Sequence, residues 1–206
     1  MKLTKLLNSL LYLFLFALIS TSVKANSDET FIVEANSTYK NIMPKGYSIT
    51  NFAQGDLNLD GVEDIIYFAQ KNNEVDNILD NKDAPKRWIY IFLGQKNQIL
   101  PKFLKKLDNV ISCDNCNGID YFSKMIIKNG YFSVEYVGSN GSNGLKTVIT
   151  FKYDNQKENL FLHKEGFMSF STDEPNNKKK QYTTIKTTKN FGIIPIEKYN
   201  FYKHDN

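Results

Sequence analysis

The residues best suited to chemistry lie in one acidic stretch, where oxygen-bearing side chains fall at alternate positions. Asp56, Asn58 and Asp60 are each separated by one residue, and Asp64 stands at the ninth position counted from Asp56. Calcium takes six to eight oxygen ligands at about 2.3–2.6 Å, and the seventh residue of a calcium loop supplies a main-chain carbonyl. The sequence therefore predicts a calcium site in residues 56–64, the acidic loop, with the ligands Asp56, Asn58, Asp60, Val62 and Asp64.

The acidic loop departs from an EF-hand at its end. Position twelve is Tyr67 instead of the bidentate glutamate of that motif, and residues 65–68 predict a strand instead of an exiting helix. The pattern Asp-x-Asn-x-Asp-Gly-x-x-Asp, with Gly55 before it, resembles the calcium loops of FG-GAP repeats in integrin-type propellers and related bacterial secreted proteins. The resemblance covers about 14 residues and implies a calcium loop between two strands. It does not imply a propeller, which would need several repeats where this sequence has a single copy.

Two other interpretations of the acidic loop remain open, a solvated turn and a site for another ion. In a solvated turn the Asp and Asn side chains would bond to their own backbone. Three inward carboxylates without a counter-ion would repel one another, which favours calcium. The ion is expected to be structural, because catalysis would need open coordination positions and an acid or base nearby. Glu63, at the eighth position, is expected to point away from the ion.

An enzyme would need a proton carrier or a nucleophile, and the sequence offers few candidates. The two histidines are His163, which follows apolar residues of a predicted strand, and His204, near the C-terminus. A histidine in a sheet is more often structural than catalytic, and no nucleophile-elbow serine motif is present. The sequence therefore predicts a protein that is not an enzyme, with no catalytic residue and with calcium as its cofactor.

Residues 1–25 have the pattern of a secretory signal peptide. Lys2 and Lys5 precede an almost wholly apolar run at 6–19, and Val23 and Ala25 occupy the −3 and −1 positions of a cleavage site. The alternative is an uncleaved anchor, but the run is shorter than the roughly 20 residues that span a bilayer. We therefore expect a periplasmic or secreted mature protein with no membrane association after cleavage.

The two cysteines, Cys113 and Cys116, are flanked by the loop formers Asn, Asp and Gly. A zinc site would need two further ligands, and a redox pair usually opens a helix after a strand. An exported protein meets oxidising conditions, so a small structural disulfide between Cys113 and Cys116 is the prediction, with the other two readings left open.

Short β-branched and aromatic runs, separated by polar turns, predict an antiparallel β protein. The clearest signal is Asn129-Gly130 between two alternating segments, because both residues accept the positive φ of a tight hairpin turn. Helix signals are weak, and residues 100–108 are one of few candidates. The expected fold is mainly β, a single domain of roughly five to eight antiparallel strands in hairpins and meanders with few short helices. It would occupy residues 46–206, after an N-terminal extension at 26–45.

A wider similarity covers most of residues 45–201. The segments at 55–61, 91–96, 113–116, 127–133 and 149–154 are similar to those of a group of small exported bacterial proteins without an assigned activity. This resemblance implies an exported β domain and adds no chemistry.

Charge and aromatic content limit the possible functions. Removal of Lys2, Lys5 and Lys24 would lower the formal net charge from +4 to +1, which excludes the strongly basic character of a general nucleic-acid binder. Twelve Tyr and fifteen Phe could supply a binding surface as well as a core. We therefore expect an exported calcium-binding protein that binds a partner, such as another protein. Two alternatives are an immunity or inhibitor protein against a secreted hydrolase and a cell-wall polysaccharide-binding or hydrolytic protein.

Overall fold

The fold was obtained as a computed structural model, which describes residues 28–74, 85–112, 120–140, 143–171 and 182–201. The chain divides into two compact units, Met1–Met43 and Pro44–Asn206. In the first unit residues 28–38 form a helix, α1, and the predicted signal peptide lies outside the described residues. Among the described residues, no helix is long and apolar enough to cross a membrane.

The second unit is built from two antiparallel sheets. Four strands form the first sheet in chain order, β1 (Tyr47–Gly55), β2 (Asp64–Lys71), β3 (Trp88–Leu93) and β4 (Lys102–Leu107). Five strands form the second sheet in chain order, β5 (Asp120–Lys128), β6 (Tyr131–Asn140), β7 (Asn143–Asp154), β8 (Asn159–Ser171) and β9 (Tyr182–Thr187), and a short helix, α2 (Thr188–Phe191), follows. The predicted mainly β, antiparallel meander is confirmed.

Two details of the fold differ from the sequence expectations. The described residues contain nine strands, which is more than expected. The helix candidate at 100–108 is mostly strand β4, which pairs with β3 from Ile89 opposite Leu107 to Leu93 opposite Lys102. The apolar side chains there were too few to choose between the two periodicities, and pairing with the open edge of β3 satisfies the backbone groups of β4.

The turn between β5 and β6 forms as predicted. Asn129 has φ 52° and Gly130 has φ 78°, so both central residues lie in the left-handed region that a tight hairpin turn requires. The turn sets the register of β5 against β6, with Lys128 opposite Tyr131 and Ile126 opposite Ser133.

A single hydrophobic core joins the two sheets. Ile66, Phe68 and Ile91 of the first sheet belong to the same buried cluster as Phe132 and Phe151 of the second. The Phe68 ring lies 4.9 Å from that of Phe122 on β5, and Tyr199, near the described C-terminal end, packs edge-on against Phe151. Because the core draws on both sheets, it fixes the ends of β1 and β2 beside the turns of the second sheet.

Candidate metal loop between the two sheets

The acidic loop connects β1 to β2 and touches two turns of the five-stranded sheet. The N–H of Gly130, in the β5–β6 turn, donates to the carbonyl of Asp56 at 3.3 Å. The side-chain amide of Asn155, in the β7–β8 turn, donates to the carbonyl of Asn58 at 2.9 Å. The loop is therefore a junction between the sheets as well as a connection within one of them.

The carboxylate of Asp56 and the side chains that follow it bond to the backbone of the loop. Asp56 accepts the N–H of Asp60 on Oδ1 at 3.1 Å and that of Gly61 on Oδ2 at 2.9 Å. Asn58 Oδ1 accepts the same N–H of Asp60 at 3.0 Å, and Asp60 Oδ1 accepts the N–H of Val62 at 2.8 Å. These hydrogen bonds hold the side-chain oxygens of Asp56, Asn58 and Asp60 against the backbone of one tight turn.

Asp64 lies in a different environment from the other three side chains, in the protein interior at the start of β2. Its side chain is buried, with the residue 1% exposed. Oδ2 accepts the N–H groups of Leu57 at 2.6 Å and Asn58 at 3.2 Å, and Oδ1 accepts that of Gly94 at 2.8 Å. Burial raises the pKa of Asp64 above its ordinary value, although these three hydrogen bonds act in the opposite direction. Asp64 thus ties the loop to the residue that follows β3.

The structure therefore brings the first three predicted ligands together on the exposed turn and places the Asp64 side chain in the interior, where it accepts backbone N–H groups of the same loop. Asp56, Asn58 and Asp60 share the exposed turn, with the amide of Asn58 donating to Asp60 Oδ2 at 3.0 Å. In the described part of the chain no group of three or more Asp, Glu, His or Cys side chains is placed to hold a metal. For Val62 the observed contact is its N–H to Asp60, while the prediction concerned its carbonyl.

The donor set nevertheless fits a hard cation by type. All the predicted ligand atoms are oxygens, which calcium prefers, and a carboxylate oxygen can accept more than one interaction. Asp64 Oδ1 accepts one N–H and retains capacity for another partner. Asn58 would have to turn its amide nitrogen away from Asp60 for the loop to present only oxygens to an ion.

An open polar cavity of about 460 Å³ lies beside the acidic loop. Asn58 and Asp60 form part of its wall, and Gln95, Lys102 and Asn155 contribute from other segments. The exposed side of the loop therefore faces a volume accessible to solvent ions, which suits a site that fills from outside.

His163 has cationic and aromatic neighbours. Its ring lies 5.1 Å from the ring of Tyr131. Partial burial lowers the pKa of His163, and the positive charges of Lys152 and Lys164 lower it further. A general base oriented by carboxylates would have the opposite surroundings.

Sequence reasoning missed the residues that anchor the loop from a distance. Asn155 and Gly94 are not among the predicted site residues, yet they bond to Asn58 and Asp64. No local signal could have identified them, because each contact spans many residues of chain.

The predicted disulfide residues, Cys113 and Cys116, lie outside the described residues. Comparisons of the chain with protein-family models, with curated proteins and with solved structures gave no match.

Proposed function

We propose that the protein is an exported β-sheet protein that acts by binding, and that its acidic loop holds a structural calcium ion. The observation that carries the proposal is the turn in which Asp56, Asn58 and Asp60 lie together at the solvent-facing side of the junction between the sheets. Asp56, Asn58, Asp60 and the carbonyl of Val62 would bind the ion, and the buried carboxylate of Asp64 would bind it from the interior side.

A bound cation would relieve a specific electrostatic cost. Two carboxylates, Asp56 and Asp60, are held on one turn, and a third, Asp64, is buried beside them. Negative charges held in one loop repel one another, and a divalent cation bound among them would attract all three. Because the loop contacts both sheets, the ion would stabilise the whole second unit.

Thermal unfolding with and without calcium tests the proposal. A ligand that binds only the folded state stabilises it by about 2.7 kcal/mol at a hundred times Kd, and by less than about 1 kcal/mol near Kd. We expect Tm in 1 mM CaCl2 to exceed Tm in EGTA for the natural protein. We expect Asp60→Asn, which retains an oxygen acceptor for the N–H of Val62, to lose most of this gain.

Glu63→Gln is the matched control, because it removes the same charge from an exposed position of the same loop. It should keep the calcium response of the natural protein. The proposal is wrong if calcium leaves the natural Tm unchanged up to 10 mM, or if Asp60→Asn and Glu63→Gln lose the response equally.

The exported location is tested separately. Expression of the whole chain in a bacterial host, followed by fractionation and N-terminal sequencing, should yield a periplasmic or extracellular protein that begins at Asn26. Retention of Lys24 and Ala25 in a cytoplasmic fraction would contradict it.

A further inference from the structure

The outer face of the five-stranded sheet carries a regular row of lysines and aromatic rings. Lys128 pairs with Tyr131, Tyr131 with Lys152, and Lys152 with Phe161, across β5, β6, β7 and β8. Directly paired residues of antiparallel strands project from the same face. The neighbouring residues Ile127, Phe132 and Phe151 belong to the core, so this row projects away from it. Lysine and ring therefore alternate across four strands.

Two further residues complete this surface at its β8 side. The His163 ring contacts that of Tyr131, and Lys152 Nζ lies 5.9 Å from the centre of the Tyr131 ring. Lys164 pairs with Thr150 on the same outward side, next to the irregularity in the β7–β8 register. We call these six residues, Lys128, Tyr131, Lys152, Phe161, His163 and Lys164, the basic patch.

The lysines of the basic patch have no carboxylate partners in the part of the chain that the structure describes. Within the described residues Lys128, Lys152 and Lys164 form no ion pair. Two carboxylates on the same face are otherwise engaged: Glu135 binds Lys146 at 2.9 Å and Lys124 at 3.7 Å, and Asp154 caps its own turn beside Lys157. Glu165, which follows Lys164, pairs with the core residue Ile149 and so lies on the opposite face. The chain as a whole has 26 basic and 22 acidic residues. Positive charge is thus concentrated on one open face of a nearly balanced protein.

We propose that the basic patch binds a linear acidic polysaccharide, with sugar carboxylates at the lysines and a sugar ring against Tyr131, since Lys157 Nζ already lies 4.7 Å from the centre of the Phe161 ring. Lys128 and Lys152 are two strands apart, which separates their backbones by about 10 Å. Carboxylates on every second sugar of a polyuronate chain lie at about this spacing. An open, gently twisted sheet face suits an extended chain.

Nucleic acid and anionic membranes fit the basic patch less well. Recognition of nucleic-acid phosphates favours arginine. The one arginine, Arg87, is buried in an ion pair with Glu74. Membrane binding favours protruding apolar side chains, whereas the Tyr131 and Phe161 rings are half-buried.

Binding of oligogalacturonate by the whole protein, measured by calorimetry in 20 mM NaCl with EDTA, tests the proposal independently of calcium. Because each variant position removes one exposed charge contact, we expect Lys128→Gln/Lys152→Gln to weaken binding roughly two- to thirtyfold. The matched control is Lys45→Gln/Lys71→Gln, which removes the same charge from two exposed positions, one before β1 and one at the end of β2. It should retain the natural affinity, and thermal unfolding should show that both variants fold.

Raising NaCl to 200 mM should weaken binding, since exposed charges are screened. Tyr131→Leu should weaken binding while leaving the salt dependence in place, because the ring contributes contact area and not charge. The proposal is overturned if oligogalacturonate does not bind at 20 mM NaCl, or if the two double variants lose affinity equally. Tighter binding to oligothymidylate or to phosphatidylglycerol vesicles than to oligogalacturonate would also overturn it, in favour of a nucleic acid or a membrane.

Discussion

Arg87 is buried among polar and aromatic partners of the first sheet and its flanking segments. Its Nη2 lies 2.9 Å from Glu74 Oε1, and the two side chains are 2% and 6% exposed. Nη1 donates to the carbonyl of Ser112 at 2.8 Å, and the guanidinium lies 5.8 Å from the centre of the Phe68 ring. Arginine is the residue type best suited to bind an anion, and Arg87 is buried and paired inside the protein.

Arg87→Met should destabilise the protein by about 3–5 kcal/mol, because it leaves the Glu74 carboxylate buried without its counter-charge. Urea unfolding measures the loss. The double variant Arg87→Met/Glu74→Leu should recover most of it, since it removes both buried charges. A single variant as stable as the natural protein would show that the pair carries no such energy.

His163 predicts a pH dependence with a defined sign. Its folded pKa lies below the ordinary 6.5 because of burial, Lys152 and Lys164, so the unfolded chain binds more protons between the two values. Stability should therefore rise with pH across that window and fall on acidification. The free energy of unfolding in urea, measured at pH 5 and at pH 7.5, should differ less between the two pH values for His163→Gln than for the natural protein. An unchanged difference would contradict the assignment.

The acidic loop and the end of β3 approach each other closely at Gly94. A Cβ at this position would overlap the carbonyl oxygen of Glu63 and come within 2.6 Å of Val62 Cγ1. The N–H of the same glycine donates to Asp64. The close approach lets one buried carboxylate hold both segments, so a side chain at Gly94 would separate them.

Gly94→Ala should cost about 1–3 kcal/mol, the usual range for inserting an atom into a packed site. Gly166→Ala on β8 is the matched control, because its Cβ would meet nothing nearer than 3.9 Å. We expect Gly166→Ala to change the free energy of unfolding little or to raise it slightly. Equal losses in both variants would indicate a general effect of the added methyl group and contradict the close-contact argument.

The second unit has one core for two sheets, so its parts should unfold together. Phe132 on β6 is fully buried in the cluster that also contains Ile66 and Ile89 of the first sheet. Trp88, the single tryptophan, lies on β3 and reports on the first sheet alone. The effect of a substitution in the second sheet can therefore be measured in the first sheet through Trp88 fluorescence.

Phe132→Ala should lower the free energy of unfolding by about 3–5 kcal/mol through the cavity it leaves. The urea midpoint from Trp88 fluorescence and that from far-UV circular dichroism should fall by the same amount. A shift in the dichroism midpoint with an unchanged Trp88 midpoint would show that the sheets unfold separately.

Local patterns in the sequence were sufficient to predict the features that depend on neighbouring residues. Alternating apolar residues predict strands, and Asn129-Gly130 predicts the hairpin turn, because side-chain direction and permitted φ are local properties. The spacing of Asp56, Asn58 and Asp60 left a calcium loop and a solvated turn as interpretations. The side-chain-to-backbone hydrogen bonds of such a turn are present, and calcium binding stays a prediction.

Contacts between distant groups became known from the packed fold and not from the sequence. The burial of Asp64 beneath Gly94, the bond from Asn155 to the acidic loop and the alignment of Lys128 with Lys152 all depend on packing and strand register. Residues 102–107 became a strand because the edge of β3 offered backbone partners. These outcomes depend on contacts between remote segments, whose energies no local pattern encodes.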